Sequence, residues 1–221
     1  MSSLPNVEQS YAAELVRKVI HLSSLSIPIV YFFVAKSTAL TILIPLTLAF
    51  LAADLARFFH DPTRKLFEEY FGWLLRTHER DTNARRLNGA TYVLLSATLC
   101  MLVFPKIIMI TAFTILIISD TCAALIGRKY GQHTFLKKSL EGTLAFFLSA
   151  LVVVAVTPKI EHLGTEYVIG AVAAFCGSLI EALPIAIDDN FSIPVGLGAI
   201  MWLLYTLFLP GVNVFALGAL S

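Results

Sequence analysis

The sequence predicts an all-α fold, a polytopic membrane bundle of about seven transmembrane helices with a cytoplasmic N-terminus. Three observations predict it: an apolar composition, seven apolar runs near spanning length, and a one-sided distribution of Lys and Arg. Of 221 residues, 57% are hydrophobic and only 14% charged, and the mean hydropathy is +0.80. A soluble domain carries about half apolar and a quarter charged residues, so lipid is the solvent for most of this chain.

A spanning helix needs roughly 17 to 25 mostly apolar residues, so 221 residues hold six or seven spans and no separate soluble module. Residues 1–221 are therefore read as one integral membrane domain. The apolar runs lie near Val19 to Ala35, Thr38 to Ala56, Ala90 to Phe104, Ile107 to Ile126, Leu140 to Thr157, Tyr167 to Ile180 and Val195 to Leu209. The third and sixth are short for a span, which predicts helices that begin in flanking polar residues or are sheltered by neighbours.

Orientation follows from Lys and Arg alone. With seven spans, all 16 of these residues except Lys36, Lys106 and Lys159 fall on one side, which predicts that side to be cytoplasmic. The segment at about 57–88 lies there; its charges interleave with Phe58, Phe59, Leu66, Phe67, Tyr70, Phe71, Trp73, Leu74 and Leu75, the pattern of helices lying in the headgroup layer. Glu8 and Glu14 precede the basic pair Arg17–Lys18, and no small-residue cleavage site follows Ala35; the first run is expected to remain as a helix. A net charge of +1 offers no bulk field for nucleic acid. Cys100, Cys122 and Cys176 occupy separate apolar runs without metal-ligand spacing and read as packing residues.

Ionisable side chains within spans cost roughly 2.5 to 3.5 kcal/mol or more unless they have a partner or a wet cavity. Four groups carry them. Glu14, Arg17, Lys18 and His21 have the spacing of one helix face; an ordinary Glu14–Lys18 helix pair is the plainer explanation. Asp54 and Arg57 lie one turn apart at the end of the second run, with Asn88-Gly-Ala-Thr beyond; a local ion pair explains them almost as well. The third group runs from Ser119-Asp120 through Ala123, Ala124, Gly127, Arg128, Lys129 and Gly131 to Lys137-Lys138-Ser139-Leu140-Glu141-Gly142-Thr143. Asp120 is expected about two turns, roughly 10 Å, inside the end of its span; the plain alternative to a functional role is a buried carboxylate paired with a neighbouring helix's base. The glycines bracket a basic turn, and the amides of the following helix would favour an anion; together they predict a phosphate cradle, although Lys137 with Glu141 has the spacing of a simple helix pair. The fourth group is Glu181, then Asp188-Asp189-Asn190, in an acidic loop without Lys or Arg, whose hard oxygens suit Mg²⁺ carried in with a nucleotide.

These motifs resemble the CTP-dependent polyprenol and lipid kinases, a family that includes dolichol kinase, phytol kinase and the yeast-type diacylglycerol kinase. Asp120 to Thr143 is similar to the family's Asp-x2-Ala-x3-Gly-x3-Gly pattern followed by Lys-Lys-Ser-x-Glu-Gly, and Asp188 through Pro194 to its Asp-Asn-x-x-x-Pro element. The resemblance covers Glu14 to Pro194. It implies a Mg²⁺-dependent kinase that uses CTP as phosphoryl donor for the hydroxyl of a membrane lipid alcohol. Asp120, Lys138, Glu141, Asp188 and Asp189 are the implied catalytic residues. The implied nucleotide contacts are Gly127, Arg128, Lys129, Gly131, Lys137, Lys138, Ser139 and Asn190, and the implied metal ligands Asp120, Glu181, Asp188 and Asp189. Asp120 is left as either metal ligand or base for the alcohol, and Glu14, Arg17, Lys18, His21, Asp54 and Asn88 are further candidates. Phosphatidate cytidylyltransferase, a related CTP-using enzyme, is the competing expectation. A small transporter is disfavoured, because no inverted repeat is visible and polar residues are scarce on the second face. The expected location is a prokaryotic cell membrane with the site facing the cytoplasm.

Overall fold

The computed structural model describes residues 16–71 and 87–216. Eight helices and one small hairpin make up these residues: α1 (Val16–Phe33), α2 (Lys36–Phe59), α3 (Asp61–Phe71), α4 (Gly89–Val103), α5 (Lys106–Tyr130), β1 (Thr134–Phe135), β2 (Lys138–Ser139), α6 (Leu140–Val156), α7 (Gly164–Ala182) and α8 (Asp189–Phe208). Helices α1, α2, α5, α7 and α8 are long and apolar enough to cross a membrane, while α4 and α6 are shorter. The chain is an integral membrane protein, with five helices of full spanning length where about seven were expected. At 1.5 Å per residue the 15 residues of α4 reach only about 23 Å of a roughly 30 Å hydrocarbon core. Its neighbours shelter it: α4 packs against α2, α5 and α8. The run expected at Tyr167 to Ile180 lengthens to Gly164–Ala182 by beginning in polar residues.

Local sequence accounts for the joints. Pro28 lacks an N–H and would crowd the carbonyl four residues back, at Ser24; α1 accordingly breaks there, with Ser24 N and Leu25 N donating to His21 O and Leu22 O at 3.0 Å each. Asn88 caps α4 by accepting from Thr91 N at 2.9 Å, and Ser139 caps α6 by accepting from Gly142 N at 3.1 Å. Between β1 and β2, Leu136 turns the chain at φ 52°, a left-handed conformation that glycine would adopt without strain.

Helix α5 is the axis of the bundle. Ile108, Met109, Ala112, Phe113, Ile115, Leu116 and Ile117 are all fully buried, the mark of a helix enclosed on every side. Helices α6, α8 and the second half of α1 pack on it. Small residues set the closest approach: a Cβ on Gly142 would sit 3.1 Å from Ala123 O and 3.3 Å from Gly127 Cα, so the backbones of α5 and α6 touch.

The three basic residues that broke the charge asymmetry have structural work at the opposite end from Asp120. Lys36 Nζ donates to Leu102 O at 3.0 Å, Lys106 Nζ to Val34 O at 2.9 Å, and Lys159 Nζ to Val154 O and Thr157 O at 2.6 and 2.7 Å. Each satisfies carbonyls left over where a helix ends. Glu166 does the complementary task, accepting from Ile160 N, Glu161 N, Leu163 N and the Tyr205 hydroxyl at 2.9 to 3.1 Å, which locks the α6–α7 connection onto α8.

Candidate active site

Two ion clusters form where α1, α5, α7 and the hairpin meet. In the first, Lys18 and His21 lie one turn apart on α1 and face α5, while Val19, Ile20 and Leu22 between and beside them are exposed. Lys18 Nζ lies 2.6 Å from Asp120 Oδ2 and also donates to Asp120 O at 3.3 Å; His21 Nε2 stands 3.7 Å from the same Oδ2. The expected Glu14–Lys18 pair falls partly on Glu14, which lies outside the described residues; Lys18 is engaged with Asp120. Asp120 lies ten residues, about 15 Å, before the end of α5 at Tyr130.

In the second cluster, Lys138 on β2 bridges two carboxylates. Its Nζ is 2.8 Å from Glu181 Oε1 at the end of α7 and 3.1 Å from Asp189 Oδ2 at the start of α8. The hairpin backbone is fixed to the same place by Lys137 N donating to Ala182 O at 3.1 Å. Burial draws the Lys138 ammonium down, but Asp189 and Glu181 outweigh it, with a smaller share from Asp120, and hold Lys138 above the ordinary lysine range. Lys138 is therefore a cation at neutral pH, and Asp120 of the first cluster adds to the field that holds it so.

The remaining candidates divide by what they touch. Asp188 caps α8, accepting from Asn190 N at 3.0 Å and Asn190 Nδ2 at 2.8 Å, so Asp188 and Asn190 form one local unit beside Asp189. Gly127, Gly131 and Gly142 all pack on Ser139: a Cβ on Gly127 would meet Ser139 Oγ at 2.9 Å and one on Gly131 would meet it at 2.8 Å. These glycines let the hairpin settle against α5 and so set the position of Lys138. Glu141 bonds to His133, at 2.6 Å from its Nδ1, with His133 N donating at 3.3 Å. The Lys137–Glu141 helix pair is not formed, since Lys137 lies in the hairpin turn before α6 begins at Leu140. Arg128, Lys129 and Lys137 are exposed at the mouth, Lys129 lying 5.1 Å over the Tyr130 ring.

Asp54, fully buried, holds α2, α3 and α4 together. It accepts from Asn88 N and Asn88 Nδ2 at 2.9 Å each and pairs with Arg57 Nε at 2.8 Å, while the Arg57 guanidinium lies 5.0 Å from both the Phe58 and Phe67 rings. The sequence suggested an ion pair here; the bond to Asn88 makes it a three-helix joint.

Four buried side-chain oxygens near the site residues have no hydrogen-bond partner: Ser119 Oγ, Thr143 Oγ1, Ser192 Oγ and Glu181 Oε2. Buried polar atoms are nearly always bonded, so each of these oxygens has capacity for a further polar partner. Sequence reasoning assigned no role to Ser119, Thr143 or Ser192; their position one to three residues from Asp120, Glu141 and Asp189 is the signal that points to them. Among the described residues no group of three His, Cys, Asp or Glu side chains converges as a ready-made metal site.

No protein-family model matches the chain, and no solved structure matches it. Curated proteins do. A Rickettsia prowazekii protein described as uncharacterized is 30% identical over 189 residues, covering 85% of this chain and 92% of that protein. The CTP-dependent diacylglycerol kinase 1 of Schizosaccharomyces pombe is 26% identical over 165 residues, covering 68% of this chain and 74% of the kinase. Its Saccharomyces cerevisiae counterpart of the same name is 29% identical over 208 residues, covering 82% of this chain and 70% of the kinase.

Proposed function

We propose, from the premise that the chain belongs to one family with the Rickettsia prowazekii protein and is related to the yeast CTP-dependent diacylglycerol kinases, that it is a CTP-dependent kinase of a membrane lipid alcohol. Diacylglycerol is the first substrate to test, with polyprenol, dolichol and phytol as the alternatives. The observation that carries the reading is the pair of clusters: a carboxylate held by a lipid-facing helix beside a lysine held by two further carboxylates.

The two halves suit the two substrates. Asp120 sits deep on α5 and is oriented by Lys18 and His21, whose helix exposes Val19, Ile20 and Leu22 outward. A lipid hydroxyl approaching along α1 would meet Asp120, which would accept its proton as the oxygen attacks the γ-phosphorus of CTP. The bond from that phosphorus to the β,γ-bridging oxygen breaks, leaving CDP and the lipid monophosphate. Lys138 would face the phosphates, and the exposed Arg128, Lys129 and Lys137 would steer the polyanion to the mouth. Positioning and charge stabilisation supply most of the rate in phosphoryl transfer.

Mg²⁺ fits this donor set. Glu181 has one buried oxygen without a partner and shares Lys138 with Asp189, and Mg²⁺ commonly uses one or two carboxylates plus substrate phosphates. Glu181 and Asp189 would hold it, whereas Asp188 is committed to its helix cap. Bound with the nucleotide, Mg²⁺ would neutralise charge on the phosphate oxygens. The bias of Lys and Arg toward the Asp120 end supports a cytoplasmic site.

The test is incubation of the purified protein with γ-labelled CTP, Mg²⁺ and each alcohol, following label into the lipid phase. Labelled lipid monophosphate is expected. Pyrophosphate release with phosphatidate, and no labelled lipid, would instead assign the chain to the cytidylyltransferases.

A further inference from the structure

Lys138 stands where a divalent cation would stand. Its Nζ is 2.8 Å from Glu181 Oε1 and 3.1 Å from Asp189 Oδ2, so one monovalent ammonium serves two carboxylates. The Glu181 side chain is only 4% exposed, and its second oxygen, Oε2, is buried without a hydrogen-bond partner. A buried carboxylate normally has its lone pairs satisfied, since low dielectric makes an unpaired charge costly. Two carboxylates therefore share one ammonium, and one of their oxygens has no partner, a donor set better matched to a dication than to an ammonium.

Metal alone has little to recommend it at this place. Among the described residues no third His, Cys, Asp or Glu completes a site, and Mg²⁺ surrenders its waters reluctantly. A tethered lysine at fixed high local concentration competes with it. Nucleotide phosphates change both sides of that balance, because they supply further oxygen ligands and an alternative partner for the ammonium. The lysine is built to move between these partners. Its side chain is 32% exposed on a flexible four-carbon stem, while the neighbouring Lys137 N holds the hairpin backbone to Ala182 O.

We propose that Lys138 is a resident counter-cation filling the divalent-cation site of Glu181 and Asp189, and that Mg²⁺ enters only with the nucleotide, whose phosphates draw the ammonium away. The proposal rests on the kinase reading for the identity of the nucleotide. A guarded site and a purely structural salt bridge respond differently to loss of the ammonium. A structural bridge would leave two repelling carboxylates and nothing more, whereas a guarded site becomes open to metal without nucleotide.

The experiment is a Mn²⁺ titration of the full chain in zwitterionic lipid nanodiscs, read by loss of the free-ion electron paramagnetic resonance signal. Wild type without nucleotide should bind Mn²⁺ weakly. K138M should bind it about tenfold or more tightly, because the two carboxylates lose their internal cation, and E181Q added to K138M should remove the gain. A second measurement needs no variant: Mg²⁺ alone should leave the thermal midpoint of wild type unchanged, and Mg²⁺ with a CTP analogue methylene-bridged between the β and γ phosphorus atoms should raise it further than the analogue alone. Wild type that binds Mn²⁺ as tightly as K138M, a gain that survives E181Q, or stabilisation of wild type by Mg²⁺ alone would each overturn the proposal. Should K138M fail to fold, the wild-type measurement decides. Guarded Mn²⁺ binding in a protein that labels no lipid alcohol would keep the site and remove the kinase reading; active kinase with an open metal site would do the reverse.

Discussion

Two carboxylates, the buried Asp54 and the half-buried Asp120, carry different duties, and exchanging each for its amide separates them. Asp54 Oδ1 is ion-paired with Arg57 Nε at 2.8 Å and accepts from Asn88 Nδ2 at 2.9 Å, and Oδ2 accepts from Asn88 N at 2.9 Å. In Asp54→Asn the less costly rotamer keeps the oxygen at Oδ1 and turns the amide nitrogen toward the Asn88 N–H, donor against donor. The Arg57 guanidinium also loses its counter-charge at a site where Asp54 is 0% and Arg57 6% exposed. Breaking a buried pair by removing one partner costs about 3 to 5 kcal/mol. At roughly 2 to 4 °C per kcal/mol for a chain of this size, the midpoint should fall by roughly 10 °C. Asp120→Asn also takes the counter-charge from Lys18, which is 6% exposed, but its amide oxygen can still accept from that ammonium and no donor is turned against another donor; a smaller loss, about 1 to 3 kcal/mol, is expected. Its rate, however, should fall by about 100-fold or more, the contribution of a proton acceptor. Thermal unfolding in detergent and label transfer at a temperature well below both midpoints report the two quantities separately. Asp120→Asn with near-normal transfer would remove Asp120 from the chemistry, and Asp54→Asn with an unchanged midpoint would refute the three-helix joint.

Gly142→Ala should force α5 and α6 apart, because its Cβ would meet backbone at Ala123 O and Gly127 Cα; overpacking costs about 1 to 3 kcal/mol, visible as a lowered midpoint. Glu141→Gln should loosen the hairpin through His133 and raise the apparent KM for CTP by about two- to fivefold while leaving the KM for lipid unchanged, as initial rates at varied CTP will show. Lys159→Met should cost about 1 to 3 kcal/mol through the orphaned Val154 and Thr157 carbonyls, with both KM values unchanged. Lys138 is held above the ordinary lysine range. The stability its pairing contributes is thus fully present below the unfolded lysine value of about 10.4 and is lost only as pH rises through the higher folded value; between pH 6 and 9 no inflection of the wild-type rate profile should be the titration of Lys138 itself, and unfolding midpoints over that range should show no loss of its pairing.

The helical bundle was legible because lipid makes apolar run length a direct constraint on structure. Pairings were less so. Spacing placed Arg17, Lys18 and His21 on one face, but only the packing of α1 on α5 selects Lys18 for Asp120. Acidic density singled out Glu181, Asp188 and Asp189, yet the split between a capping Asp188 and a bridging Asp189 depends on where α8 begins. The hairpin escaped notice since two-residue strands leave no periodicity to detect, and with it went the true partner of Glu141. Pro28 was visible throughout, and its break in α1 could have been inferred from the clash it makes with the preceding turn.

Placement of the basic residues obeys one electrostatic rule. Lys18 is buried and Lys138 half-buried, and both are already paired with Asp120, Glu181 and Asp189, so neither presents free charge to a distant nucleotide. Arg128, Lys129 and Lys137 are exposed at the same end, where their field reaches about a Debye length into solvent. On the proposed kinase reading, attraction and reaction would fall to different cations: the exposed ones would raise the encounter rate and cost little to solvate, and the enclosed ones would act where low dielectric multiplies their effect. The paired lysines also offset part of the carboxylate charge, which lowers the penalty of isolated charge. An incoming polyphosphate can then take over ammonium groups that the carboxylates held in its absence.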